Sequence, residues 1–284
     1  MKNIIVPIDF SDESLHGLEL AILFTKKQQT DIQMVFVQKK SSDYNSPGHF
    51  EEERRWADSK FRKLVDGYSK KLGNESSLKH IIKTGKIYRE IVSQVESYND
   101  AMVVASTHGA SGFEEFFLGS NAYTILQATS RPVITIRKGQ VPKEIKKIVL
   151  PIDITVDTRQ KVPFTVEMAK LFGAEIHVIT ITSSKGKRLN DRLSAYQKQV
   201  LGYIDMKKVT RKTKSLYGDN MADLVVVYAD SIDADLISIM KEQTRTVNIM
   251  GNLTHQILNR ATTPVLCLSA KEKYIATGFR TFGA

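Results

Sequence analysis

Between β-like and helix-like stretches the chain reads Ser106-Thr107-His108-Gly109-Ala110-Ser111-Gly112, then Phe113 to Leu118, then Gly119-Ser120-Asn121. Glycine leaves the main chain bare, so a ligand can come close to the amides at Gly109 and Gly119. Gly119 and Ser120 stand where a helical pattern opens, and the unpaired amides and positive end of a helix favour an anion. Ser120 can add a hydroxyl donor or cap that helix. Two glycines separated by nine residues and followed by a hydroxyl suit a phosphate cradle; they can also be turn glycines and nothing more. His108 can bond a phosphate or act as an acid, or be a loop residue whose ring covers the site. Asp9 follows the first apolar run by two residues after Pro7. Its carboxylate can accept a hydrogen bond from an amino group or a sugar hydroxyl, and by position it can equally cap the next helix. Val37, closing the second apolar run, can offer a backbone donor and acceptor to a flat heterocycle.

These groups need elements to hold them, and the periodicity supplies those elements. Strand patterns fall at Ile4–Ile8, Ile32–Val37, Leu78–Lys83, Ala101–Ala105 and Pro132–Ile136. A helix begins after Ser11-Asp12-Glu13-Ser14, with a capping hydroxyl and acids in the first turn. Lys39 to Gly48 reads as a loop, Phe50 to Leu72 as a long amphipathic helix, and Ile87–Tyr98 and Asn121–Ala128 as two more. On the long helix, Trp56, Phe61 and Leu64 share a face that reads as core or interface packing. Strands alternating with helices build a parallel sheet covered on both faces, and right-handed crossovers make it an open doubly wound α/β domain. Ligands of such sheets bind beyond the carboxyl ends of the strands, which is where the residues above lie.

The chain then repeats itself. Lys2 to Asp9 reads KNIIVPID and Lys146 to Asp153 reads KKIVLPID, while Arg131-Pro132-Val133-Ile134 has its echo in Thr263-Pro264-Val265-Leu266. The period is about half the chain, so the fold class is α/β with two tandem doubly wound five-stranded sheets. The expected domains are 1–139 and 145–270, followed by a tail, 271–284, without readable periodicity. The second copy has strand patterns near Ile148–Ile152, Ile176–Ile181, Val209–Lys214, Leu236–Ile239 and Val265–Leu268, and helices near Val162–Phe172, Leu189–Ile204, Met221–Tyr228 and Thr254–Asn259. It keeps Asp153, yet from Asp235 it has no glycine before Gly251, and Asn252 replaces the serine. Lys241, Glu242 and Arg245 put bulk where a phosphate would need bare backbone. This copy reads as a structural partner of the first, with a different ligand met by Lys241 or Arg245 as the alternative.

The first copy resembles the nucleotide-binding form of the universal stress protein family, which has Pro-x-Asp at the end of its first strand and Gly-x2-Gly-x9-Gly-Ser near its end. Pro7 and Asp9 match the former, and Gly109, Gly119 and Ser120 the later part of the latter. The likeness extends over both copies and implies an adenine nucleotide alpha hydrolase-like fold. It also implies that Asp9 and Val37 meet adenine, that Ala105 to Gly109 lie along ribose and phosphates, and that Gly119, Ser120 and Asn121 hold phosphates. One departure stands out: Ser106 replaces the first glycine, and its side chain would crowd the ligand or call for a different backbone angle.

The expected ligand is therefore ATP or a related adenine nucleotide, with Mg²⁺ as an optional companion, in a regulatory stress-response module. Ordering of the Gly109–Gly119 loop by ligand would alter a surface seen by an unknown protein partner. The alternatives are an interaction protein that binds no nucleotide and a weak Mg²⁺-dependent ATPase. Ordinary P-loop hydrolysis is disfavoured, because no Gly-x4-Gly-Lys-Ser/Thr string occurs. None of the six histidines pairs with another His or Cys at metal-ligand spacing, and no nucleophile–base pair has a readable signature. The first 139 residues carry 19 basic against 17 acidic side chains and the remainder 22 against 14, so the net charge of +10 sits mostly in the second copy. Without interleaved aromatics that excess reads as a solvated face rather than a nucleic-acid footprint. The single cysteine, Cys267, lies in an apolar run and reads as a buried small hydrophobe. No apolar stretch is long enough to span a membrane, no secretory signal is legible, and the expectation is a cytoplasmic protein. The two copies would form a pseudo-dimer within one chain, with association of two chains as a further option.

Overall fold

The computed structural model describes residues 1–39, 47–73, 75–107, 120–137, 141–241 and 253–270, apart from the side chains at 47, 120 and 156. Two compact units divide the chain, Met1–Val141 and Pro142–Ala284. In the first, the elements run β1 (Asn3–Pro7), α1 (Asp12–Thr25), β2 (Asp31–Gln38), α2 (Pro47–Tyr68), β3 (Leu78–Thr84), α3 (Ile87–Glu96), β4 (Ala101–Ser106), α4 (Ser120–Ala128) and β5 (Val133–Ile136). The strands are parallel in the order β3-β2-β1-β4-β5. β4 is buried over Ala101–Ala105, as expected of a central parallel strand covered on both faces. Right-handed crossovers place α1 and α2 on one face and α3 and α4 on the other.

The second unit repeats the plan with β6 (Lys147–Ile152), a 3-10 turn (Val156–Arg159), α5 (Val162–Phe172), β7 (Glu175–Thr182), α6 (Lys187–Met206), β8 (Arg211–Tyr217), α7 (Met221–Ser231), β9 (Leu236–Met240), α8 (Leu253–Arg260) and β10 (Val265–Leu268). Its strands are parallel in the order β8-β7-β6-β9-β10. The doubly wound α/β reading of the sequence therefore holds in each unit. The basic residues after Lys185 lie mainly on the exposed side of α6 and on β8, whose Lys212 and Lys214 face solvent. Cys267 is buried in β10, and burial pushes its thiol well up from the ordinary range.

Local chemistry explains the element boundaries. Ser11 caps α1, its hydroxyl accepting from the Ser14 N–H, and Asp12 and Glu13 occupy the positive first turn. α2 begins at Pro47, inside the stretch expected to be loop; proline lacks the N–H that a first-turn residue would leave unpaired in any case. α5 ends on Gly173 in the left-handed region at φ 69, where glycine carries no Cβ penalty.

One buried polar contact ties β7 to α7. His177 is 3% exposed; its Nε2–H donates to Glu175 Oε1 at 2.8 Å, and its Nδ1 accepts from the Tyr228 hydroxyl at 2.9 Å. That assignment satisfies a neutral ring, and burial holds its pKa below the ordinary value of about 6.5 against the pull of Glu175. The unfolded chain then binds a proton that the native chain refuses, so this group's stabilisation is complete above about pH 6.5 and is lost as pH falls through the native pKa. Thermal melts from pH 8 to pH 5 should show a steeper fall for the wild type than for His177→Gln. Tyr228→Phe should cost about 1–3 kcal/mol in urea titrations at pH 8, because it strands the Nδ1 acceptor. Equal slopes for wild type and His177→Gln would rule this out.

Candidate functional site

The strand order sets the site in the first unit. From β1 the chain moves outward to β2 and β3, then returns past β1 to β4 and β5. A reversal of this kind leaves a crevice at the carboxyl ends of β1 and β4. Asp9 follows β1 and is exposed; Ser106 ends β4 half-buried; Thr107 is buried beside it, its N–H donating to the Ile136 carbonyl at 2.9 Å. Pro7 is the last, half-buried residue of β1, and Ala105 is buried in β4. The Ile8 N–H donates to the Val35 carbonyl at 2.9 Å. Alternate residues of a parallel strand face the same neighbour, so the backbone of Val37 faces the β1 side past the last residue of that strand. Asn121 is exposed in the first turn of α4. His108, Gly109 and Gly119 lie outside the described residues, as does the side chain of Ser120, which opens α4. Glu242, Arg245, Gly251, Asn252 and the tail 271–284 lie outside them too.

Two local findings change the weight of the sequence reading. Asp9 Oδ1 accepts from both the N–H (3.1 Å) and the hydroxyl (2.5 Å) of Ser11, so the acid braces the capping residue rather than capping the helix itself. In the second unit Asp153 Oδ1 accepts from the N–H (2.7 Å) and hydroxyl (2.5 Å) of Thr155 in the same way. The brace is thus common to both copies, whatever either binds. Ser106 lies within β4 and outside the left-handed region. Its backbone makes no demand for glycine, which removes the concern about backbone angle and leaves only the volume of its side chain.

Phe10 was missed by sequence reasoning. It adopts φ 63, uncommon for a bulky residue and a form of strain found at functional sites. Its ring is held by Phe36, Trp56 and Phe61, with centroids at 5.3, 5.1 and 4.8 Å. The single tryptophan therefore stands next to the residue that follows Asp9. The second-unit counterpart, Ile154, is not in the left-handed region. The only sequence signal was an aromatic residue directly after Pro-x-Asp.

The carboxyl edge of the second unit is built differently. Counting on from the braced acid, Lys161 corresponds to Gly17. At Gly17 a Cβ would lie 3.4 Å from the Val104 carbonyl oxygen and 3.6 Å from the Ser106 nitrogen, so α1 lies close against β4. Lys161 is 3% exposed, and its ammonium folds back onto the Thr158 carbonyl (2.6 Å) and hydroxyl (3.0 Å). Burial lowers its pKa to about 8 while Asp153 pulls the other way. The helix also starts late: residues that match the first turn of α1 form the 3-10 turn, and α5 begins only at Val162. After β9, Lys241 takes the place of Thr107, with its N–H on the Leu268 carbonyl at 2.7 Å, and burial lowers its pKa as well.

An open depression of about 460 Å³ lies elsewhere, between α2 and β3, lined by Arg54, Arg55, Asp58, Arg62 and His80 among others. Asp58 already takes Arg62 at 2.7 Å and His80 at 3.0 Å, so this acid in the lining of the depression is engaged. Among the described residues no three His, Cys, Asp or Glu side chains gather as a metal site, and no helix is long and apolar enough to cross a membrane.

Comparison with known proteins gives a consistent picture. The profile of the universal stress protein family matches residues 1–137 and again 144–269. Universal stress protein YxiE of Bacillus subtilis is 25% identical over 146 residues, covering 48% of this chain and 99% of that protein. Universal stress protein MJ0531 of Methanocaldococcus jannaschii is 26% identical over 146 residues, covering 48% of this chain and 82% of that protein. The crystal structure of a universal stress protein from Archaeoglobus fulgidus superimposes with a TM-score of 0.75 at 18% identity, over 95% of this chain and 97% of that one. A putative universal stress protein from Pseudomonas aeruginosa gives a TM-score of 0.67 at 14% identity, over 95% and 93% of the two chains. At these identities the structural likenesses speak for the fold.

Proposed function

Because this chain belongs to the universal stress protein family, whose profile spans both its units, we propose that its first domain is a regulatory module that binds an adenine nucleotide at the carboxyl edge of β2, β1 and β4. One observation carries the reading. Asp9, the backbone of Val37 and the Ser106–Thr107 end of β4 meet across the crevice of the first sheet. The sequence that follows Thr107 holds the Gly109 to Gly119-Ser120 spacing. The residues suit the group: an exposed carboxylate can accept from an exocyclic amine or ribose hydroxyl, and a main-chain N–H and C=O can meet the edge of a purine. ATP is the form we assign, because the Gly109-x9-Gly119-Ser120 spacing would suit its phosphates. Mg²⁺, when bound, would ride on the phosphates and supply charge neutralisation there. The second domain lacks the glycine spacing and fills the Gly17 position with Lys161, so it is assigned no nucleotide.

A second reading, an interaction protein without nucleotide, draws on the brace shared by Asp9 and Asp153, which gives the acid a structural task in both domains. Calorimetry with ATP, ADP and AMP, with and without Mg²⁺, separates the two. Fluorescence of Trp56, in contact with Phe10, assigns any binding to the first domain. Absence of heat at millimolar nucleotide sinks the nucleotide reading and leaves the second. Ser106→Gly should tighten ATP binding several-fold, since a side chain is removed from an ordinary strand position beside the crevice, at a stability cost of about 0.5–1 kcal/mol. An unchanged affinity would mean that the Ser106 hydroxymethyl does not face the ligand.

A further inference from the structure

The second domain encloses a guanidinium that has no counter-charge among the described residues. Arg159, in the 3-10 turn after β6, is 2% exposed. Its Nη1 donates to Gln199 Oε1 on α6, and its Cζ lies 3.7 Å from the ring centroid of Tyr196. Its Nε and Nη2 are buried and have no hydrogen-bond partner among the described residues. Those two N–H groups form one edge of the guanidinium fork, the edge that takes two oxygens at once. Arg211 in the same domain uses that edge on a carboxylate, Nε to Asp205 Oδ1 and Nη2 to Oδ2, both at 2.7 Å.

A second cation stands beside Arg159. Arg192 is exposed on α6, donates from Nε to the Tyr196 hydroxyl at 2.9 Å and lies 5.3 Å from the same ring. Neither arginine is in an ion pair among the described residues. Burial and the neighbouring Arg192 both lower the proton affinity of Arg159, yet a guanidinium stays charged. An unpaired buried charge is unfavourable and calls for an anion. The first domain has Leu15 at the corresponding position, so the feature belongs to the second domain alone and is independent of the nucleotide reading.

We propose that Arg159, with Arg192 at the solvent side, binds the phosphoryl oxyanion of a small ligand in the second domain. The Nε–Nη2 edge matches two oxygens of a tetrahedral phosphoryl group, and two fixed positive charges match a dianion better than a monoanion. The Tyr196 ring holds the Arg159 plane in place, so little side-chain freedom is lost on binding.

Inorganic pyrophosphate is the probe, titrated by calorimetry into the full chain, with chloride adjusted to keep ionic strength constant. Arg159→Met and Arg192→Ala should each weaken binding by about tenfold or more, the loss expected when one charged hydrogen-bond donor is removed. Pyrophosphate held by the first domain survives both substitutions, so the readout is the difference between wild type and variant. Without phosphate, Arg159→Met should melt at or above the wild-type temperature, because an uncompensated charge has been removed. Arg192→Ala changes an exposed residue and keeps the test available if Arg159→Met does not fold. Identical pyrophosphate isotherms for wild type and both variants would overturn the proposal. So would equal binding of acetate at the same site, which would make it a carboxylate site.

Discussion

Asp9→Ala is expected to weaken adenine-nucleotide binding by about 10- to 100-fold, while Asp153→Ala leaves it unchanged. The magnitude follows from a hydrogen bond to a charged acceptor, worth about 1.5–3 kcal/mol, and from about 1.4 kcal/mol per tenfold change in affinity. The pairing of the two variants is what gives the experiment its force. Each acid braces the residue two positions on, Ser11 or Thr155, through one N–H and one hydroxyl. Each alanine therefore removes the same brace, at the start of α1 or of the 3-10 turn after β6, at a cost of about 1 kcal/mol by analogy with capping residues. Any effect that comes only from the brace appears in both variants, and only ligand contact distinguishes them. Nucleotide dissociation constants read by calorimetry, with Trp56 emission as the first-domain reporter, decide the matter. If both variants bind as the wild type does, Asp9 is a structural acid and the nucleotide assignment loses its principal side chain.

Gly73→Ala should destabilise the protein by about 3 kcal/mol or more, at the upper end of what overpacking costs. Gly73 follows a 3-10 turn (Ser69–Lys71) that succeeds α2 and lies against the end of α1, where its N–H donates to Thr25 Oγ1 at 3.0 Å. A Cβ there would stand 1.8 Å from the Thr25 carbonyl oxygen and 2.6 Å from its carbon. Both atoms are backbone at the end of a packed helix, so no rotamer change relieves the overlap and the chain itself must move. Gly67, within α2, has nothing among the described residues within 4 Å of a Cβ. Gly67→Ala should raise stability by about 0.5–1 kcal/mol through the lower entropy of the unfolded chain and better helix propensity. Urea midpoints of the two variants should thus move in opposite directions. A Gly73→Ala midpoint within error of the wild type would mean that the α1–α2 contact is not packed as described.

Much of the architecture was legible because it is written in local pattern. Short apolar runs alternate with helical periodicity, and the KNIIVPID and KKIVLPID openings announce a duplication; strand order then follows from the handedness of crossovers. The positions of Asp9, Val37 and Ser106 at one sheet edge were legible for the same reason, since a strand end is a point along the sequence. Element ends were less secure: α2 starts at Pro47 because proline fits a first turn, a fact that composition alone reads as loop.

The repeated openings and the alternation of apolar runs with helical periodicity determined that this chain is a tandem α/β protein whose copies differ in the sequences that follow their fourth strands. Only the tertiary structure decided that Asp9 and Asp153 share a brace, that Phe10 is held at positive φ by three aromatic rings, and that Ser106 needs no glycine backbone. It alone showed that Lys161 folds back where Gly17 lies flat against β4, and that Arg159 is buried with one edge unmet. The physical reason is the range of the contacts. Helix caps, turns and periodicity depend on neighbours within a few residues, whereas Arg159 meets Gln199 and Tyr196, and Gly73 meets Thr25, only after distant segments have packed.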